Sequence, residues 1–186
     1  MNWNHHISQT AKKANQTRAF VQRNMHSCPQ SVKQACYQTL VRPILEYGGI
    51  VWDPHTQVNA SRLEAVQRRA ARFVVNDYSY YSSVSQMLQT LGWQTLRERR
   101  AHAKVTMVYR IIHNLVDINP DPYLRPLVTS SRGHSERLFI PYCRSPVYQI
   151  SFFPDGARLW NHLPQTVVCA ASIEAFRAGL NPIILR

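Results

Sequence analysis

Arginine is the residue type that gives this sequence its clearest chemical character. The chain has 22 basic and 10 acidic residues among 186, for a formal charge of +12, and 18 of the 22 are arginine. A guanidinium pairs bidentately with phosphate and stacks on bases, so this bias favours a nucleic-acid partner. The alternative is that arginine usage follows genome composition and has no binding role.

The arginines are densest in two segments that are predicted to be helices, 59–76 and 95–115. In the first, the apolar residues fall within about 100° of arc, and Arg68 and Arg72 point the other way with Arg69 on the flank. The second carries four cations in its first half, where the helix dipole favours anions. An external anion would relieve that conflict, although a solvated charge run is equally compatible with the pattern. The candidate binding residues are Arg62, Arg68, Arg69, Arg72, Arg97, Arg99, Arg100 and Lys104.

Other kinds of chemistry find little support in the residue pattern. The acidic residues are scattered, and the nearest to a pair, Asp117 and Asp121, flank Pro120 in a loop-like run. The histidines lack a His-x-x-x-His pair with a nearby carboxylate, and the cysteines are too widely spaced for a zinc motif. We therefore predict no catalytic residue, no metal site, no cofactor and no small-molecule ligand.

Several aromatic residues have two readings that the sequence leaves open. Trp52, Trp93 and Trp160 are either core anchors, which their apolar neighbours favour, or platforms for base stacking. A polar aromatic loop follows the first arginine-rich helix and contains Tyr78, Tyr80 and Tyr81. It either touches nucleic acid or covers an edge of the core.

No membrane-spanning segment or targeting signal is visible, which predicts an intracellular protein, nuclear or cytoplasmic and not secreted.

Hydrophobic periodicity predicts a mainly α fold, a helical bundle with a small β-hairpin and short C-terminal helices. Further helices are expected over 4–23, 29–48 with a kink or break at Pro43, 83–91, 154–160 and from Ser172 onward. The hairpin strands are expected over 137–140 and 147–153. The expected divisions are a helical bundle over 1–76, a helical extension over 77–115, a linker or irregular arm over 116–135, and the hairpin with its helices, packed on the bundle, over 136–186.

A series of short motifs runs along nearly the whole chain in a fixed order. It begins with Trp-x-x-His-Ile at Trp3, continues through the strings at 40–54, 63–73, 83–88, 91–93 and 97–100, and ends with Ser-Phe-Phe-Pro at 151–154 and Leu-Trp-Asn-His-Leu-Pro at 159–164. The order and content resemble the region downstream of the catalytic palm in reverse transcriptases of non-LTR, LINE-type retrotransposons. The bundle would then be similar to a polymerase thumb.

The resemblance implies a non-catalytic role for this stretch of chain. The family's aromatic-x-Asp-Asp motif is absent, and two-metal nucleotidyl transfer needs clustered carboxylates. Thumb helices lie along the template-primer duplex and hold its sugar-phosphate surface. The eight cations named above would contact phosphates of an RNA/DNA template-primer duplex, and the palm domain of the parent RNA-directed DNA polymerase would be the second partner. The competing hypothesis is a degenerate or co-opted protein-interaction module with no nucleic-acid role.

Overall fold

A computed structural model describes residues 3–127 and 133–185, and these ranges are almost entirely helical or irregular. The predicted mainly α fold is confirmed. The α-helices are α1 Asn4–Asn24, α2 Gln30–Cys36, α3 Arg42–Glu46, α4 Gln57–Val75, α5 Val84–Thr90, α6 Leu96–Ile112, α7 Pro146–Gln149, α8 Phe152–Trp160, α9 Gln165–Val168 and α10 Ile173–Leu180. Part of the predicted linker, residues 128–132, lies outside the described ranges.

The chain forms two compact units, and the boundary between them falls in the first turn of α6. Unit 1 is Met1–Arg97 and unit 2 is Glu98–Arg186. Unit 1 therefore contains both the predicted bundle and α5 of the predicted extension.

Unit 1 is built on the packing of α1 against α4. On α1, the side chains that face inward recur at alternating intervals of four and three residues, which keeps them on one face of a helix. They include Ile7, Ala14 and Val21, all buried. Ile7 and Ala14 share one core with Leu63, Val66 and Ala70 of α4 and Trp52 from the preceding loop, whereas Val21 joins a second core with Phe73 and Val74 of α4 and Leu88 of α5. The apolar spacing in the sequence thus has a direct counterpart in the core.

A π-helical segment, Tyr37–Val41, joins α2 to α3. It lies immediately before the helix that contains Pro43, the position where a kink or break is expected. Proline has no N–H to donate, and in a regular α-helix its ring clashes with the carbonyl four residues earlier. The wider turn accommodates the proline without ending the helical path. The amide of Arg42 accordingly bonds to the carbonyl of Tyr37, five residues back.

The ends of α4 and the start of α5 have clear local causes. The hydroxyl of Thr56 accepts a hydrogen bond from the Asn59 amide at the start of α4, and Asn76 ends the helix with a φ of 58°. Ser83 caps α5 in the same way by accepting from the Gln86 amide. Gly92 follows α5 with a φ of 65°, a conformation that glycine adopts without strain.

Unit 2 packs the remainder of α6 against the C-terminal helices. Val105, Val108 and Tyr109 of α6 share one core with Trp160 of α8 and Phe176 of α10. Helices α6 and α8 approach so closely that a Cβ added at Gly156 would lie 2.9 Å from a methyl group of Val108. Ser-Phe-Phe-Pro therefore has a packing role, since Pro154 is buried and the Phe153 ring stacks on Tyr123 with centroids 4.2 Å apart.

The predicted β-hairpin does not form in the described residues. Residues 147–153 lie in α7 and α8 and the turn between them, because Ser145 caps α7 and Ser151 precedes α8. The segment around Leu138 is extended, but its antiparallel partner is Pro126, in a single isolated bridge. On the other edge of this extended segment, the Asn161 side chain accepts a hydrogen bond from the Leu138 amide and donates one to the Leu138 carbonyl, each at 2.8 Å. One amide side chain therefore replaces the second strand.

Candidate nucleic-acid interface

Helix α4 carries four arginines outside its buried face, of which Arg68 and Arg72 point away from the core and Arg62 and Arg69 lie on the flanks. Arg62, Arg68 and Arg69 are exposed, and Arg72 is partly buried. We call these four residues the basic face. Within the part of the chain that the structure describes, the ion pairs of 4 Å or less include none that joins a carboxylate to any of them. Their positive charge is therefore available to an external anion.

A fifth arginine, Arg18 of α1, lies beside this face. It occupies a position on the inward-facing line of α1, between Ala14 and Val21, and is partly buried. Its guanidinium donates to the Asn15 side chain at 3.0 Å and to the Gln22 side chain at 2.6 Å. Burial, followed by the nearby charge of Arg69, lowers the pKa of Arg18, whereas Tyr78 acts in the opposite direction.

Arg18 was not among the residues predicted for the interface. The sequence does contain a signal for it, because Arg18 falls where the apolar spacing of α1 calls for a core residue. Two like charges brought together at a partly buried position are costly unless an opposite charge joins them. An anion bound between Arg18 and Arg69 would relieve this repulsion.

The start of α6 is held by α4. The backbone amide of Arg97 donates to a carboxylate oxygen of Glu64 at 3.0 Å, and the Arg97 side chain is exposed. Glu64 thus supplies a negative charge at the positive end of α6, where the dipole favours one. The sequence suggested an external anion for this role, and at the Arg97 amide the Glu64 carboxylate supplies an internal one.

The remaining three candidates belong to unit 2, and two of them are buried. Arg99 is partly buried, whereas Arg100 is only 3% and Lys104 only 1% exposed. The Lys104 ammonium lies 2.8 Å from a carboxylate oxygen of Asp155, which also pairs with Arg158 at 2.8 Å. The expectation that Arg100 and Lys104 lie on an exposed basic surface is wrong, because both side chains are buried and Lys104 is paired with Asp155 of α8.

A loop of residues 76–83, which we call the tyrosine loop, adjoins the basic face. The Arg72 guanidinium donates to the Ser79 carbonyl at 3.0 Å, and the Gln22 side chain donates to the Tyr78 hydroxyl at 3.2 Å. Hydrogen bonds from the Ser82 side chain and then from the Ser79 amide lower the pKa of Asp77, with a smaller contribution from Arg72. The loop is thus fixed to both α1 and α4.

The three tryptophans serve the core. Trp52 is 4% and Trp160 1% exposed, and Trp93 is partly buried and stacks on Tyr37 with ring centroids 4.2 Å apart. The indole of Trp52 donates to the Tyr47 carbonyl and that of Trp160 to the Glu136 carbonyl. Of the two readings left open for the tryptophans, core anchoring is confirmed for Trp52 and Trp160.

Two other kinds of site can be compared with the prediction. The described residues contain no group of three or more His, Cys, Asp or Glu side chains that could hold a metal ion. A cleft of about 540 Å³ lies in unit 2 between Leu124, Leu138, Trp160 and Val168. This cleft was not predicted from the sequence, because its walls come from segments far apart in the chain.

Comparison of the chain with known proteins identified no relative, since no protein-family model, curated protein or solved structure matches it. Across residues 3–127 and 133–185, no helix has the length and apolar content that crossing a membrane requires.

Proposed function

We propose that this chain is a non-catalytic part of a non-LTR retrotransposon RNA-directed DNA polymerase, corresponding to its thumb and downstream region. In this role the basic face binds the sugar-phosphate backbone of an RNA/DNA template-primer duplex, and the palm of the same polymerase is the neighbouring domain. The proposal combines the ordered motifs of the sequence with the disposition of the arginines in unit 1.

The observation that carries the binding role is the separation of the two faces of α4. Leu63, Val66 and Ala70 are buried, while Arg62, Arg68 and Arg69 are exposed. None of the ion pairs of 4 Å or less among the described residues neutralises one of these three exposed arginines. Phosphate contacts of this kind position a nucleic acid without reading its sequence.

The dimensions of the basic face suit a nucleic-acid backbone. Arg62 and Arg72 are ten residues apart, which corresponds to about 15 Å along a helix axis. Phosphates of one strand recur about every 3.4 Å along the axis of a B-form duplex, and more closely along the A-like form of an RNA/DNA duplex. Side chains as long as arginine therefore have several phosphates within reach at once. We include Arg18 and Arg97 as flanking cations and leave out the buried Arg100 and Lys104.

The decisive experiment measures binding of the whole chain to an RNA/DNA primer-template duplex across a salt series. The test variant carries Arg62→Gln, Arg68→Gln and Arg69→Gln, and it leaves Arg72 to hold the tyrosine loop. We expect affinity to fall steeply with salt for the unaltered chain. The magnitude of the log-log slope should drop by about 2 to 3 in the variant, because three phosphate contacts are lost.

A matched control separates the basic face from total charge. Arg125, Arg144 and Arg177 are exposed in unit 2, and changing all three to Gln removes the same number of charges. This control should keep most of the salt slope. Equal losses in both variants would mean that only net charge matters. Absence of binding by a folded chain would reject the proposal and favour the protein-interaction module.

A further inference from the structure

Two tyrosines of the tyrosine loop stand almost fully in solvent. Tyr80 is 92% and Tyr81 93% exposed. Their rings meet edge to face, with centroids 5.6 Å apart and planes at 85°. In this arrangement each ring keeps at least one face open. A large apolar surface is thus presented to water and contributes nothing to either hydrophobic core of unit 1.

The backbone that carries these rings is held by several hydrogen bonds. The Ser79 amide donates to the Asp77 carboxylate at 2.9 Å, and the Tyr81 amide donates to the Ser79 hydroxyl at 3.3 Å. The Ser79 carbonyl receives the Arg72 guanidinium, so a cation of the basic face lies against the peptide group that leads into Tyr80. Open aromatic faces and phosphate-binding cations therefore adjoin each other.

This combination fits one kind of ligand better than any other. Aromatic faces beside arginines bind single-stranded nucleic acid, because every base has a face to stack and every nucleotide a phosphate to pair. Bases inside a duplex are already stacked on their neighbours and cannot take a tyrosine. An apolar protein partner would use the rings but would not need the Arg72 guanidinium beside the peptide group that leads into Tyr80.

We infer that Tyr80 and Tyr81 stack on unpaired bases of a single-stranded RNA or DNA segment whose phosphates are held by Arg72 and the neighbouring arginines. The inference rests on the proposed function and extends it, since a duplex bound by the basic face would continue at this loop as a single strand. The ligand class is thus a duplex with an unpaired extension, or a single strand by itself.

The test compares two single-stranded DNA oligonucleotides of equal length, one with bases and one abasic, so that only the bases differ. Binding of the whole chain is measured by fluorescence anisotropy at one low salt concentration. We expect the oligonucleotide with bases to bind about 5-fold to 100-fold more tightly, in line with stacking of one or two bases.

Variants then assign this preference to the two rings. The Tyr80→Ala and Tyr81→Ala double variant should lose the preference while its affinity for the abasic strand stays unchanged. Tyr80→Phe with Tyr81→Phe should keep it, because stacking needs the ring and not the hydroxyl. Tyr47 and Tyr142 are 86% and 87% exposed elsewhere, and their double alanine variant should behave like the unaltered chain.

The outcomes distinguish this inference from the proposed function. Equally tight binding of the strands with and without bases would overturn the stacking role, and the salt series with the duplex would still test the basic face. A base preference that survives in the Tyr80→Ala and Tyr81→Ala variant would place the stacking elsewhere and overturn it as well. No binding of either strand or of the duplex would reject both.

Discussion

Helices α4 and α6 look alike in the sequence, and the structure uses their cations in opposite ways. Both are amphipathic and rich in arginine, yet Arg68 and Arg69 of α4 are exposed, whereas Arg100 and Lys104 of α6 are buried. For Lys104 the neutralising charge comes from Asp155, which lies 51 residues later in the chain and 2.8 Å from it in space. A run of cations thus shows where charge is placed and does not show whether the protein itself neutralises it.

The largest effect on stability is expected from removing the carboxylate that pairs with Lys104. Asp155→Ala should lower the free energy of unfolding by about 3 to 5 kcal/mol, because it withdraws the opposite charge from a buried ammonium. Chemical denaturation of the whole chain, followed by near-UV circular dichroism, measures the change. Asp121→Ala, at an exposed site, is the control and should change it by less than about 0.5 kcal/mol. A loss below 1 kcal/mol for Asp155→Ala would mean that the pair is not structural.

Substitution of Arg18 is expected to have a smaller effect on stability, and to stabilise the protein. Arg18→Met should raise the free energy of unfolding by about 0.5 to 1 kcal/mol, since it removes a partly buried charge beside Arg69 and restores the apolar line of α1. The same variant should bind nucleic acid more weakly. Arg23→Met, on the exposed side of α1, is the control and should show no gain in stability. Destabilisation by Arg18→Met would mean that the hydrogen bonds to Asn15 and Gln22 outweigh the repulsion.

Substituting the exposed arginines of α4 should hardly change the stability of the protein. Arg68→Gln and Arg69→Gln are each expected to change the free energy of unfolding by less than about 0.5 kcal/mol, because neither side chain is buried. Thermal denaturation monitored by circular dichroism is sufficient for this comparison. A large loss at either position would show that α4, like α6, uses its cations internally, and the contrast between the two helices would disappear.

The smallest effect is local and depends on pH. Because hydrogen bonds to Ser82 and Ser79 lower the pKa of Asp77, these contacts persist above the ordinary aspartate pKa and are lost as the pH falls through the lowered one. The Ser79 amide resonance should titrate with a midpoint below about 3.9. Asp77→Asn should abolish that titration. A midpoint at or above the ordinary value would mean that the carboxylate does not organise the tyrosine loop.

Local patterns in the sequence were sufficient to place most of unit 1. The intervals of three and four between apolar residues predicted α1 and α4 to within two residues at each end, and Ser83 and Gly92 marked the limits of α5. These signals lie within a turn or two of the elements they define. The π-helical segment was not predicted, although Pro43 indicated that the helix could not continue unchanged.

The errors concern features that depend on distant parts of the chain. Residues 147–153 have the content of a strand, but serine caps and burial of Pro154 and Leu159 place them in helices. The backbone of Leu138 is hydrogen-bonded by the amide side chain of Asn161, a contact that hydrophobic periodicity does not predict. Among the candidate binding residues, Arg100 and Lys104 were misjudged for the same reason. The exposure of a cation depends on which helix covers it.

The wide turn at Tyr37–Val41 has a consequence for how the chain tolerates changes in length. In a regular α-helix, residues four apart rotate by about 40° relative to each other, so Tyr37, Val41 and Leu45 would drift off one stripe. All three nevertheless enter the same core, because the extra residue in the π turn offsets that drift. Deleting one residue within this turn and restoring α geometry would leave Tyr37 and Leu45 seven residues apart, within about 20° of one line along the helix, so Leu45 would stay on the buried side. Deleting one residue from the regular helix α4 would instead rotate everything after the deletion by about 100°, so the π turn is the place where this part of the chain tolerates the loss of a residue.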